Sequence, residues 1–279
     1  MKNQLTVAQL QPAVFSDKQA CLKQMEGACT RVVRESRPDL IALPEMFCCP
    51  YAVDQFAGYA EEEGGPAWTA CARTARDLGV WLSAGSLPER GEDGRLYNTA
   101  YVFDRQGRCV AKHRKAHLFD IDVRGGQRFQ ESATLSPGNT VTTFDTEFGV
   151  MGLCICYDFR FPELGRLMAL AGARVILVPA AFNMTTGPAH WELMFRSQAL
   201  NNQLFAVGTA PARDLSASYH SWGHSIITDP WGQVVSQLEE GPGRAVTTLN
   251  LDRVEDVRAQ LPLLRHRRTD LYQLTSSGG

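Results

Sequence analysis

Short apolar runs alternate with longer mixed stretches along this chain, and the alternation predicts its elements. "LTVAQLQ" (5–11), "DLIALPE" (39–45) and "VWLSAGS" (80–86) read as strands. Between them, residues 16–36 read as a helix capped by Ser16, and 66–78 as a helix with Pro66 in its first turn. "LYNTAYVFD" (96–104) and "CVAKHRK" (109–115) predict a hairpin around "RQGR", where Gly107 supplies a permissive backbone. A polar, Gly-rich segment from Asp120 to Asn139 reads as irregular, and long irregular segments inside a domain are often functional. Strands follow at "VTTFDT" (141–146) and "VMGLCIC" (150–156), then a helix over 162–172 ending at Gly172. "RVILVPA" (174–180) and "LFAVGTA" (204–210) read as buried strands flanking a helix over 189–202. A second hairpin joins "SWGHSIITD" and "QVVSQLE" across "PWG". "AVTTLNL" is a late strand, 252–260 a short helix, and a tail begins at about 262.

Strands alternating with helices, with hairpins set among them, indicate an α/β layered fold with mixed sheets. No linker, low-complexity tract or repeat interrupts the 279 residues, so one domain over 1–279 is expected. Lys plus Arg number 28 against 30 for Asp plus Glu, which argues against a nucleic-acid or anionic-membrane footprint. The N-terminal "MKNQLTVAQLQPAVF" lacks a signal-peptide apolar core, and "VILVPAAF" is far shorter than a membrane span. The eight cysteines follow no secreted-framework spacing, so reduced thiols and a cytoplasmic location are expected.

The sequence contains no G-x-G-x-x-G after a strand, no G-x-x-x-x-G-K-[ST], no H-E-x-x-H, no G-x-S-x-G and no C-x-x-C. Strand ends remain, where open α/β sheets carry reactive side chains. Glu45 ends one strand, Lys115 ends the first hairpin, and Cys156 ends the strand "VMGLCIC". A thiol is nucleophilic as thiolate, and a nearby base raises that fraction. Glu45 suits that base, and could return the proton to a leaving amine. Lys115 suits the oxyanion of a tetrahedral intermediate, with a backbone N–H at Tyr157 beside it. The chemistry is acyl transfer from an amide nitrogen to water through a thioester.

Glu45, Lys115 and Cys156 in this order resemble the Glu-Lys-Cys triad of the carbon–nitrogen hydrolase (nitrilase) superfamily. The likeness spans nearly the whole chain and is closest to the omega-amidases. It is carried by "LPEMF", "LYNTAYVFD", "KHRKAHLFDIDV", "FQESATLSPG", "ICYDFRFPEL", "FNMTTGPAHWELM", "ASYHSWGHS" and "DPWGQV". The resemblance implies a four-layer α-β-β-α sandwich, a homodimer, and no metal or organic cofactor. It implies hydrolysis of the terminal amide of 2-oxoglutaramate or 2-oxosuccinamate. It adds Glu131 as a second carboxylate positioning Lys115 or the amide, and Arg160, Phe182 and Thr186 as substrate contacts. Arg160 fits physically, because a guanidinium binds a keto-acid carboxylate bidentately.

Each residue also has a plainer reading. Cys156 could be a buried strand cysteine, Lys112 rivals Lys115 within "KHRK", and Arg160 could pair with Asp158 or Glu163. Phe182 after a buried strand is more often core, and His190 and Trp191 could simply pack a helix. Cys48 and Cys49 stand where omega-amidases often carry small polar residues, which makes a pocket mouth more apolar or more easily oxidised. Cys154 is expected inside its strand as an inert thiol. Related amidases acting on deaminated glutathione, N-carbamoyl compounds or small aliphatic amides are the neighbouring alternative. A remote one is a zinc or redox protein using Cys48, Cys49, Cys154 and Cys156, whose spacing departs from C-x₂₋₄-C.

Overall fold

The computed structural model describes residues 2–276. Its core is two six-stranded mixed sheets. In spatial order the first holds β14 (Gly243–Asn250), β1 (Gln4–Gln11), β2 (Leu40–Ala42), β3 (Trp81–Arg90), β4 (Leu96–Phe103) and β5 (Cys109–Arg114). The second holds β13 (Val234–Gln237), β12 (Ile226–Thr228), β11 (Phe205–Thr209), β10 (Val175–Pro179), β9 (Gly149–Leu153) and β8 (Thr142–Thr146). In each sheet three consecutive strands are parallel, β1-β2-β3 and β9-β10-β11, and the outer strands are antiparallel. Parallel neighbours require crossovers. Helices α1 (Lys18–Ser36) and α3 (Pro66–Leu78) supply them in the first sheet, and α4 (Pro162–Leu170) and α5 (Gly187–Asn202) in the second. A short helix α2 (Phe56–Tyr59) precedes α3, and α6 (Asp252–Gln260) follows β14.

Period-two alternation divides each strand of the first sheet between two cores. Leu5 and Val7 of β1, Leu40 and Ala42 of β2, and Ala100 and Val102 of β4 pack toward the second sheet. Ala8, Leu10, Ile41, Leu82, Tyr101 and Phe103 pack outward under α1 and α3. On the far side, Trp191, Phe195 and Ala199 of α5 belong to the same core as Ile176 of β10, which meets Met168 of α4 around Gly152. The layers are therefore helix, sheet, sheet, helix, as expected. Each fully buried Leu or Val contributes roughly 1.5–3 kcal/mol.

Three local expectations differ. Asp17, not Ser16, caps α1, its carboxylate accepting from the Gln19 N–H at 2.9 Å. The segment 120–139 holds a two-stranded hairpin of β6 (Asp120–Asp122) and β7 (Arg128–Gln130), then a 3₁₀ turn over Glu131–Ala133. Strand β9 stops at Leu153, because the Ile155 amide that would extend the ladder donates to Asp158 at 3.0 Å. The expected tail begins after α6, and residues 277–279 of it lie outside the described residues. Among the described residues no helix is long and apolar enough to cross a membrane.

Candidate active site

Glu45, Lys115 and Cys156 leave β2, β5 and β9, so two elements of one sheet face one of the other. The Glu45 turn is clamped by β3: Ser86 N–H donates to Pro44 O at 3.2 Å, and Ser86 Oγ accepts from Met46 N–H at 3.1 Å. That approach needs Gly85, at φ 62°, since a Cβ there would lie 2.0 Å from Pro44 O. Met46, next to the carboxylate, holds φ 51° without being glycine. Such a backbone costs on the order of 1–3 kcal/mol and persists where its surroundings over-determine it. Lys115 is held through its main chain, donating to Asn98 O and accepting from Gly138 N–H, both at 2.8 Å. A Cβ at Gly138 would sit 2.1 Å from Arg114 O.

Cys156 opens a 3₁₀ turn over Cys156–Arg160 with φ 46°, a second left-handed non-glycine beside the site. Asp158 ties this turn to the Lys115 loop. Its buried carboxylate accepts from the N–H groups of Ile155 (3.0 Å), Ala116 (3.1 Å) and His117 (2.8 Å). It also pairs with His113 Nε2 at 2.9 Å and His117 Nδ1 at 2.8 Å. Burial alone would raise the Asp158 carboxyl, but its bonds to His113 and His117 hold it well below the usual carboxylate range.

At the centre, Lys115 Nζ lies 2.9 Å from Glu45 Oε1 and 2.9 Å from Glu131 Oε2, all three side chains sealed from solvent. Glu131 sits in the 3₁₀ turn after β7, anchored by Phe119 N–H to its Oε2 at 2.7 Å. Burial opposes the ammonium, but Glu131 and Glu45 outweigh it and push Lys115 above its ordinary range. Glu45 is pushed up, by burial first and Glu131 next, against the pull of Lys115. The Cys156 thiol is pushed well up by burial and by Glu45, with Lys115 and the Ala181 N–H opposing. Glu45 and Cys156 interact directly, and Glu45 Oε2 has no nitrogen or oxygen donor. Burial and Glu45 thus favour the protonated thiol, and Glu45 Oε2 is left as an unpaired acceptor.

Arg160 lies at the end of the Cys156 turn, its guanidinium 4.6 Å from the Phe182 ring centroid and 5.9 Å from that of Tyr157. It bonds His190 Nδ1 at 3.1 Å. Among the described residues it forms no ion pair; Asp158, one suggested partner, faces the histidines instead. Burial lowers its pKa. Phe182 is buried, edge-on to Trp191, in the core position its plainer reading anticipates. The Thr186 hydroxyl donates to Asn183 Oδ1 at 3.0 Å at the start of α5. The Tyr157 ring stands edge-on to Phe119 and Phe161. Lys112, the rival lysine, pairs with Glu63 and Glu89 away from the triad.

A cavity of about 450 Å³ opens onto Glu45, with Met46, Cys49, Tyr51, Ala181 and Tyr219 in its walls. That suits a small-molecule site. A larger cleft of about 850 Å³ lies elsewhere, among charges such as Glu89, Lys112 and Arg114 that pair with one another. Cys49 lines the site cavity, its thiol pushed up by burial to about 12, while Cys48 packs under α1 and α3. Cys154 is buried in the hydrophobic core, its N–H donating to Leu177 O at 3.2 Å. Among the described residues no group of three or more His, Cys, Asp or Glu side chains is arranged to hold a metal ion.

Sequence reasoning overlooked Tyr51 and Asn98, and gave Asp158 only as a suggested partner of Arg160. Tyr51 OH and Asn98 Nδ2 reach both carboxylates. Asn98 left a signal, being a fully buried amide within the apolar run of β4.

Residues 4–259 match the family model for carbon-nitrogen hydrolases. The chain belongs to that family. It is 44% identical over 252 residues to omega-amidase NIT2 of Mus musculus, covering 89% of this chain and 91% of that one. Over 255 residues it is 46% identical to hydrolase C26A3.11 of Schizosaccharomyces pombe, covering 91% and 77%. The structure of Saccharomyces cerevisiae Nit3, a nitrilase-superfamily member, superposes with a TM-score of 0.88 at 37% identity, covering 96% of this chain and 98% of that one.

Proposed function

We propose that this carbon-nitrogen hydrolase is an omega-amidase. It removes the terminal amide of 2-oxoglutaramate or 2-oxosuccinamate as ammonia and leaves the 2-oxo dicarboxylate. The similarity to omega-amidases supports the class of reaction. The observation that carries the substrate is Arg160, a half-buried guanidinium without a carboxylate partner near the nucleophile.

In this reading Cys156 Sγ attacks the amide carbon while its proton passes to Glu45 Oε2. The S–H bond breaks, the S–C bond forms, and the carbonyl oxygen becomes an oxyanion facing Lys115 and the Tyr157 N–H. Glu45 returns the proton to the nitrogen, the C–N bond breaks, and ammonia leaves. Water then gives a proton to Glu45 and attacks the thioester; collapse expels the thiolate, which recovers that proton from Glu45. Glu131 holds Lys115 charged throughout. Arg160 grips the substrate carboxylate, with Phe182, Thr186 and the Tyr157 ring shaping its surroundings.

The deciding assay compares ammonia release from 2-oxoglutaramate with release from deaminated glutathione, N-carbamoyl compounds and small aliphatic amides. The 2-oxo acid amides should lead in kcat/KM. Arg160→Ala should lower kcat/KM for 2-oxoglutaramate by roughly 10–100-fold, mainly through KM, a charge-assisted bond being worth about 1.5–3 kcal/mol. A neutral aliphatic amide should barely register the change. Equal losses on both substrates would refute the carboxylate grip.

We also read the protein as a cytoplasmic homodimer without metal or organic cofactor, and without nucleic-acid or membrane partners. Its eight unpaired cysteines suit a reducing compartment. The exposed Leu193 and Leu200 of α5 suit a covered face. Light scattering should give twice the chain mass, and a monomer at micromolar concentration would overturn the dimer.

A further inference from the structure

One phenol reaches both carboxylates and the ammonium between them. Tyr51 OH lies 3.2 Å from Glu45 Oε1, 3.2 Å from Glu131 Oε1 and 3.3 Å from Lys115 Nζ. The three donors around these oxygens differ in capacity. Lys115 has three protons and Asn98 Nδ2 has two, so each can serve both carboxylates at once. A phenol has one. Tyr51 accepts from Lys115 and must choose between Glu45 and Glu131. Its ring is held by Phe56, Phe129 and Tyr219, with centroids at 5.7, 5.5 and 4.5 Å. The choice is therefore a rotation of the hydroxyl about its C–O bond, with the ring in place. Burial and the neighbouring Glu131 keep the phenol from ionising at working pH.

We propose that Tyr51 is a positioning residue whose hydroxyl turns from Glu45 to Glu131 when Glu45 takes a proton, and back when Glu45 releases it. The proposal rests on the reading of Glu45 as the base for Cys156. When the thiol S–H bond breaks, its proton goes to Glu45 Oε2, the oxygen without a nitrogen or oxygen donor. The Tyr51 O–H bond stays intact. Glu45 is then neutral and its Oε1 a weaker acceptor, while Glu131 remains a carboxylate. Moving the one hydroxyl to Glu131 keeps a hydrogen bond on whichever oxygen carries charge, in a site where such bonds are strong.

The test uses a reagent that needs no amide substrate. Alkylation of Cys156 by iodoacetamide, read as mass gain on its peptide, is followed against pH in the parent and in Tyr51→Phe. Phenylalanine keeps the ring packing. Facing Glu45 are Lys115, Glu131, Cys156, Tyr51 and Tyr219. Removing the hydroxyl strips a donor from the ionised form of Glu45 and leaves the other groups in place. The acid limb of the profile should therefore move to higher pH, and the rate below that limb should fall by on the order of tenfold. If Tyr51→Phe does not fold, 3-fluorotyrosine at this position keeps ring and hydroxyl but donates more strongly, and should move the limb to lower pH. A parent profile without an acid limb, or a limb unmoved by the change, overturns the proposal. A moved limb in a protein that ignores 2-oxoglutaramate supports Tyr51 and rejects only the substrate assignment.

Discussion

Cys156→Ala should abolish ammonia release from 2-oxoglutaramate, a fall of roughly 10⁵–10⁶-fold, while Cys154→Ala keeps most of it. The two thiols are two residues apart, and the fold gives them different surroundings. Cys156 sits in a left-handed turn against Glu45 and the Ala181 N–H, so its sulfur has a base and a donor. Cys154 sits in the hydrophobic core, its thiol pushed well up by burial, with Asp158 and Cys156 adding to that rise. Truncating it leaves a small cavity costing about 1 kcal/mol, which lowers the melting point without touching the reacting atoms. Initial rates and thermal midpoints of both variants make the comparison. Comparable inactivation by both changes would mean that the thiols act as a pair, and the single-nucleophile mechanism would fail.

Much of this arrangement is legible in the sequence. Apolar runs located the sheet strands, Pro66 marked the start of α3 at its true residue, and strand ends marked Glu45, Lys115 and Cys156. That these three converge was not derivable from periodicity, because β2 and β5 lie in one sheet and β9 in the other. The likeness to carbon–nitrogen hydrolases supplied the convergence and Glu131. What escaped was what acts across distance. Asp158 ends β9 by binding the Ile155 amide, an interaction to which alternation of apolar positions is blind. Tyr51 lies in a loop with no spacing signal. Segment 120–139 looked irregular because each strand of its hairpin is only three residues long, too short for alternation to show.

Lys115→Met should leave no measurable turnover and destabilise the protein by about 3–5 kcal/mol at neutral pH, because it strands two buried carboxylates without their cation. In the parent, the Lys115 pKa is raised by Glu131 and Glu45 against the effect of burial. Its stabilising contribution is thus fully present below the ordinary lysine range and is lost only as pH rises through the higher folded value. The parent should show no loss from Lys115 itself between about pH 6 and 9. In the variant, Glu45 and Glu131 remain hydrogen-bonded to Tyr51 and Asn98, but their mutual repulsion is no longer offset. The pair must then hold a proton, so its folded pKa rises above the unfolded carboxylate value of about 4.3. A raised acid pKa removes stability as pH climbs from the unfolded value through the folded one. The deficit should consequently be smallest near pH 5 and largest at pH 8. Methionine roughly fills the lysine stem, so a cavity contributes little. Urea unfolding of both proteins at the two pH values gives the answer. A deficit independent of pH would assign the loss to packing, and the two carboxylates would then not depend on Lys115 for their charge.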